Sequence, residues 1–231
     1  MNTSDSIELE PRGTESALHV TGVPSKPRLR GWLHAVAAPI VGAAGIVLII
    51  LAHGAAAGWS AAVYALSAVT LFGTSAVYHL GSWSPQTAVR LRRMDHANIY
   101  LMIAGSYTPL VVIGLGHEFG PLLVVVWAGA VAGVLFKMLW LDAPRWLSTV
   151  LYVGLGWSIV WGMGEIFARN GAAVGTLVVV GGAAYTVGGV VHALKRPDPW
   201  PRLFGFHEVF HAFTLVAWVC QYVAISLVAY R

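Results

Sequence analysis

Seven apolar runs, each about as long as a membrane is thick, fall along this chain near 33–54, 60–81, 95–115, 120–141, 146–167, 172–193 and 205–229. As a helix rising ~1.5 Å per residue, roughly twenty such residues cross the ~30 Å hydrocarbon core. Lipid offers no hydrogen-bond partner to an exposed backbone, so a spanning chain closes its own hydrogen bonds as a helix or a barrel. Runs this long and continuous predict helices, and the expected fold class is all-α, a bundle of seven transmembrane helices. Composition agrees: 57% of residues are apolar and 10% charged, against roughly 25% charged in a soluble domain.

An odd number of spans places the termini on opposite sides, and the basic residues choose between the two orientations. With the N-terminus in the cytoplasm, 12 of the 14 Lys and Arg residues fall on the inner side and only Arg169 and Arg231 outside. Residues 1–30 then read as a polar cytoplasmic tail and 31–231 as the membrane domain, with the C-terminus outside. The tail lacks the short apolar core and small-residue cleavage site of a signal peptide. The net charge of +4 belongs to loops beside lipid headgroups, so membrane lipids and not nucleic acid are the expected partners. The plasma membrane is the expected location, and nothing in the sequence sets the oligomeric state. The single cysteine, Cys220, excludes an internal disulfide and a cysteine-based zinc site. Trp32, Trp59, Trp83, Trp140, Trp146 and Trp200 fall near the span ends, as an interfacial aromatic belt requires. Glycines such as Gly129 and Gly133 let helices approach closely. Gly105 and Pro109 should bend the third span, because proline removes a backbone hydrogen bond.

Polar residues inside spans are expensive and mark function. His79 lies in the last inner turn of the second run, with Ser75 one turn deeper. Asp95 opens the third run, and His207 and His211 occupy the first two turns of the seventh. Five polar residues from three spans thus share one depth just below the cytoplasmic face. Histidines at i and i+4 stand on one helix face roughly 6 Å apart, so both rings can address one ion. A third histidine completes a neutral nitrogen set, which favours zinc over magnesium or calcium. The competing reading is a set of histidines hydrogen-bonded between helices. His34, His96 and His192 also fall near the inner face and can support the ligands from behind. His53 and His117 fall outside, and His19 is in the tail.

Ser75-Ala76-Val77-Tyr78-His79, Met94-Asp95-His96-Ala97-Asn98-Ile99-Tyr100 continuing through Ala104-Gly105-Ser106-Tyr107-Thr108-Pro109, and His207-Glu208-Val209-Phe210-His211 together resemble the hemolysin III family. That family belongs with the adiponectin and progestin receptors and is distantly similar to the alkaline ceramidases. The similarity runs over about residues 31–229, in order and spacing. It implies a seven-helix bundle with zinc on His79, His207 and His211, Asp95 holding the water at the metal, and Ser75 beside it. The hemolysin name comes from cell lysis attributed to members and does not establish a lytic role here.

His207-Glu208-x-x-His211 is also literally H-E-x-x-H, the helical zinc signature whose glutamate is a general base. An intramembrane metalloprotease is therefore a further alternative. Its third ligand would be an aspartate, for which Leu141-Asp142-Ala143 is only a loose echo. Glu208 is rotated roughly 100° from His207, which leaves its reach to the metal open. The favoured chemistry is hydrolysis of an amide or ester in a lipid, with Asp95 orienting water and accepting its proton and Ser75 donating to the developing oxyanion. The alternative is a zinc site that only ties spans together in a receptor or a membrane-permeabilising protein, closed by His96 or Asp95.

Overall fold

The computed structural model describes residues 26–231, and every regular element among them is a helix apart from an isolated bridge between Trp200 and Phe204. The helices are α1 Trp32–Leu51, α2 Ala55–Leu80, α3 Pro85–Pro109, α4 Gly120–Leu139, α5 Arg145–Trp157, α6 Met163–Leu194 and α7 Phe206–Ala229. The tail expected over residues 1–30 lies, up to residue 25, outside the described residues.

Six helical segments are long and apolar enough to cross a membrane, where the sequence pattern shows seven runs. The difference lies in one segment, Arg145–Leu194, of 50 residues. Laid straight it would extend roughly 75 Å, more than twice the hydrocarbon core. It does not stay straight. At Gly171 the backbone leaves helical geometry, with φ 83° and ψ 170°, a conformation open to glycine and strained for L side chains. Residues on either side then run beside each other: the Trp157 indole donates to Thr186 Oγ1 at 2.8 Å, and the Thr149 hydroxyl to the Gly189 carbonyl at 3.5 Å.

α3 also departs from the hydropathy pattern. It begins ten residues before Asp95, at Pro85. Ser84 caps it, its hydroxyl accepting from the Thr87 amide at 3.3 Å, and proline takes the first helical position. That position has no intrahelical acceptor to lose. The first three turns, Gln86 to Met94, are too polar to register as apolar, so Asp95 sits well inside the helix rather than at its start. At the other end Pro109 closes the α-helix, and a π-helical turn, Leu110–Leu115, follows. The expected disturbance at Pro109 is therefore a change of helix type.

The breaks are repaired by side chains. Asn170 donates its amide to the Gly114 carbonyl at 2.8 Å, and Arg231 reaches the Asn170 carbonyl at 3.0 Å. The Tyr107 hydroxyl donates to the Gly156 carbonyl at 2.7 Å, where α5 gives way to the 3₁₀ turn Ser158–Gly162. The six tryptophans of the expected belt are all exposed, as are large apolar residues such as Ile50, Leu66, Val124 and Leu139. An apolar surface of this kind suits lipid.

Between helices the contacts depend on small residues. The glycine pair on α4 serves two neighbours: a Cβ at Gly133 would meet the Tyr100 ring of α3 at 2.2 Å, and one at Gly129 would meet Leu155 of α5 at 2.7 Å. At Gly105 a Cβ would stand 2.1 Å from Ser67 Oγ and 2.7 Å from its Cβ on α2. Gly105→Ala should therefore force α2 and α3 apart and cost about 1–3 kcal/mol, read as a fall in the thermal unfolding midpoint in detergent. Gly58→Ala, whose Cβ meets nothing within 4 Å, should leave the midpoint unchanged or raise it.

Candidate metal centre

α2 ends at Leu80, so His79 occupies its last turn and projects between α1, α3 and α7. Its place is set from α1: Gly31, with φ 87°, lies so close that a Cβ there would stand 2.6 Å from His79 Cβ. Lys26 donates to the His79 carbonyl. α7 begins at Phe206 and brings His207 and His211 to the same point from one face. All three histidines are buried, and one ring nitrogen from each lies within 4.8 Å of the others. His79 Nε2 and His207 Nε2 are 3.1 Å apart.

A contact of that length needs a lone pair on at least one ring. Nitrogen ligands on a tetrahedral zinc, with Zn–N of ~2.0–2.1 Å, stand roughly 3.3 Å from one another. Three buried imidazoles at these spacings can hold a metal ion.

Asp95 is buried beside them, its Oδ2 3.6 Å from His79 Nε2. The buried Ser75, one turn before His79 on α2, lines the same cavity as Asp95. The structure thus brings all five expected residues into one cluster.

Three further histidines close around it. His34 stacks on His211 with ring centroids 3.7 Å apart and planes at 10°. Its Nε2 is 3.1 Å from Thr214 Oγ1, and that hydroxyl donates to the His211 carbonyl at 2.7 Å. The threonine oxygen can only accept from His34, which assigns the His34 proton to Nε2. His192 lies 5.5 Å from His207 by ring centroid. His96 lines the same cavity. The Nδ1 atoms of His34, His96 and His192 are buried without a partner among the described residues.

Glu208 is turned away. Its Oε2 accepts from the Gly205 amide at 2.8 Å, and its Oε1 pairs with Arg30. Fully buried, it closes the first turn of α7 and anchors the segment leading into α1, which leaves neither oxygen for the role of a base. Asp142, the other element of the protease reading, is exposed and pairs with Arg92 at 3.1 Å.

The cluster forms one end of a cavity of about 380 Å³. Along α3 the lining runs from Arg92 to Leu110, roughly 27 Å at ~1.5 Å per residue. Beyond the histidines the apolar Met102, Ile103, Leu110, Ile159 and Val178 line it, interspersed with polar groups such as Ser106, Thr186 and Gln221. Arg30, Arg92, Lys137 and Arg145 stand at the histidine end. The sequence pattern did not single out this cationic set, because each residue reads alone as a cytoplasmic positive charge. Gly31 also escaped notice, since only its positive φ and the nearness of His79 give it meaning.

The chain is similar to known proteins over most of its length. The profile of the haemolysin-III-related family matches residues 23–222. The Hemolysin-3 homolog of Bacillus subtilis (strain 168) is 30% identical over 174 residues, covering 74% of this chain and 78% of its own length. Hemolysin-3 of Bacillus cereus is 32% identical over 174 residues, covering 74% and 76%. More distant is the adiponectin receptor protein of Drosophila melanogaster, 25% identical over 185 residues that make up 71% of this chain and 41% of the receptor. With its long apolar helices, the chain is an integral membrane protein that belongs to the haemolysin-III-related family.

Proposed function

We propose that this protein hydrolyses an amide or ester bond in a membrane lipid, with zinc held by His79, His207 and His211. The observation that carries this reading is the continuity of the cavity, whose lining joins the imidazole and carboxylate cluster to a stretch rich in apolar side chains such as Met102, Ile103, Leu110 and Ile159. That shape suits an acyl chain with its carbonyl at the polar end. Zinc at such a site supplies a Lewis acid that polarises a carbonyl and makes water acidic near neutral pH. Asp95, the one carboxylate beside the imidazoles, accepts a proton from the attacking water as the water oxygen bonds to the carbonyl carbon. Ser75 donates to the oxygen on which charge develops. Asp95 then returns the proton to the leaving nitrogen or oxygen as its bond to carbon breaks.

The same reading takes the fold-back at Gly171 as an outer turn, giving seven crossings with the N-terminus cytoplasmic and the site near the inner leaflet. In a Cys220→Ser background, cysteines at position 169 and after Arg231 should label from outside intact cells, and a cysteine at Thr3 should be protected. Protection of position 169 would exclude an outer turn there.

Metal analysis tests the ligand set. His79→Ala, His207→Ala or His211→Ala should each weaken zinc binding by about tenfold or more, because removing a ligand exceeds the ~10–100-fold cost of disturbing a supporting group. His53→Ala and His117→Ala should leave it unchanged. Full zinc occupancy after His79→Ala would remove α2 from the site.

A second reading, a closed structural site in a receptor or lytic protein, draws on the 3.6 Å between Asp95 and His79, close enough for the aspartate to serve as a fourth ligand. Asp95→Asn separates the two. A lost base should lower lipid hydrolysis by about 10²–10⁴-fold with zinc retained, whereas a lost ligand should weaken zinc binding and thermal stability together. Glu208→Gln should lower stability, by breaking its pair with Arg30, and leave hydrolysis per folded molecule near wild type; a loss of hydrolysis as deep as that of Asp95→Asn would restore the protease-like base.

A further inference from the structure

Lys137 stands two residues before the end of α4, where a lysine ordinarily extends its ammonium to the headgroups. Here it is only 2% exposed. Its ammonium donates to the buried Ser148 on α5 and lies 5.1 Å from the centroid of the Phe136 ring. An ammonium has three donors, and among the described residues no carboxylate lies within ion-pairing distance of this one. A buried charge without a counter-ion is costly. Lys137 and Ser148 both line the cavity, as do Arg92 and Arg145. Arg92 stands near enough for its charge to act on both Lys137 and Arg145, and the exposed Asp142 acts on Lys137 with the opposite sign. The acids nearby are otherwise engaged: Asp142 is exposed on Arg92, and Asp95 faces His79. The Arg145 guanidinium lies over the face of Phe206, 5.9 Å from the ring centroid, and has no carboxylate in ion-pairing distance among the described residues.

We propose that Lys137, Ser148, Arg92 and Arg145 form a subsite for a phosphate-type anion at the mouth of the cavity, so that the lipid preferred by this protein carries a phosphate monoester headgroup. The proposal rests on the reading of the cavity as a lipid site. A phosphate there supplies the counter-charge that Lys137 lacks and accepts from the guanidinium groups, which match phosphate geometry. The apolar channel beyond takes the acyl chain.

The test is binding to the full-length, detergent-purified protein, read as the concentration dependence of its thermal unfolding midpoint. The probes are short-chain phosphatidic acid, phosphatidylcholine of the same acyl length and inorganic phosphate. Phosphatidic acid should bind about tenfold more tightly than phosphatidylcholine, the scale of one charge-assisted contact. Lys137→Met and Arg145→Gln should each reduce that preference. Arg145 is exposed, so its variant decides the matter if Lys137→Met does not fold. Equal affinity for the two lipids, or a preference intact in the variants, overturns the subsite. Inorganic phosphate matching phosphatidic acid in potency assigns the subsite to a free anion and overturns the headgroup. Because the readout is binding, the preference stands or falls whether or not any lipid is hydrolysed, and hydrolysis of neutral lipids without preference refutes the subsite alone.

Discussion

Lipid will not hydrogen-bond a backbone, and the interior of this bundle is organised around that refusal. A continuous helix satisfies itself, so the interruptions are where the structure has to work. At the π-helical turn and at Gly171 a single asparagine serves both: Asn170 supplies a donor to Gly114 and offers its own carbonyl to Arg231. Tyr107 does the same where α5 loosens into a 3₁₀ turn. These contacts hold the chain where it bends and folds back.

The opposite end of the bundle holds the histidine cluster, and its geometry depends on the segment before α1. Arg30 pairs with Glu208, Lys26 caps the His79 carbonyl, and Gly31 packs against His79 itself. Residues on either side of the histidine cluster are thus tied by a short stretch of chain that belongs to neither α2 nor α7. The Arg28 and Leu29 amides add to this, donating to the Arg202 and Leu203 carbonyls, each at 3.1 Å. Glu208 illustrates how a motif changes meaning in context. On an isolated helix it sits beside a zinc-binding histidine, yet here Arg30 takes its charge and the start of α7 takes its other oxygen.

The same end is rich in uncommitted polar atoms. Among the described residues, three Nδ1 atoms have no partner and one buried ammonium has no carboxylate within ion-pairing distance. Polar atoms left so in a low-dielectric interior are costly, and they surround a space of about 380 Å³. A ligand with a polar head and an apolar tail would satisfy the first and fill the second.

Much of this was legible in the chain itself. Runs of apolar residues carry the helical class and the membrane, since hydropathy summed over twenty residues outweighs any local preference. The spacing of His207 and His211 foretold that both rings would share one face, because helix periodicity turns sequence position into face, and the structure brings His79 and Asp95 to that same point. Tertiary structure alone decided the rest. Polar turns such as Gln86 to Met94 register as loop until a cap and a neighbour make them helix, which moved Asp95 from a helix start to its interior. The break between the runs ending near 167 and starting near 172 was legible, with Asn170-Gly171 as a turn, whereas the contact by which Asn170 ties that turn to Gly114 was not. Whether Glu208 faces a metal or an arginine, and whether Lys137 reaches water or stays buried, depends on rotation and on side chains from distant helices, and such contacts leave no periodic trace along a single sequence.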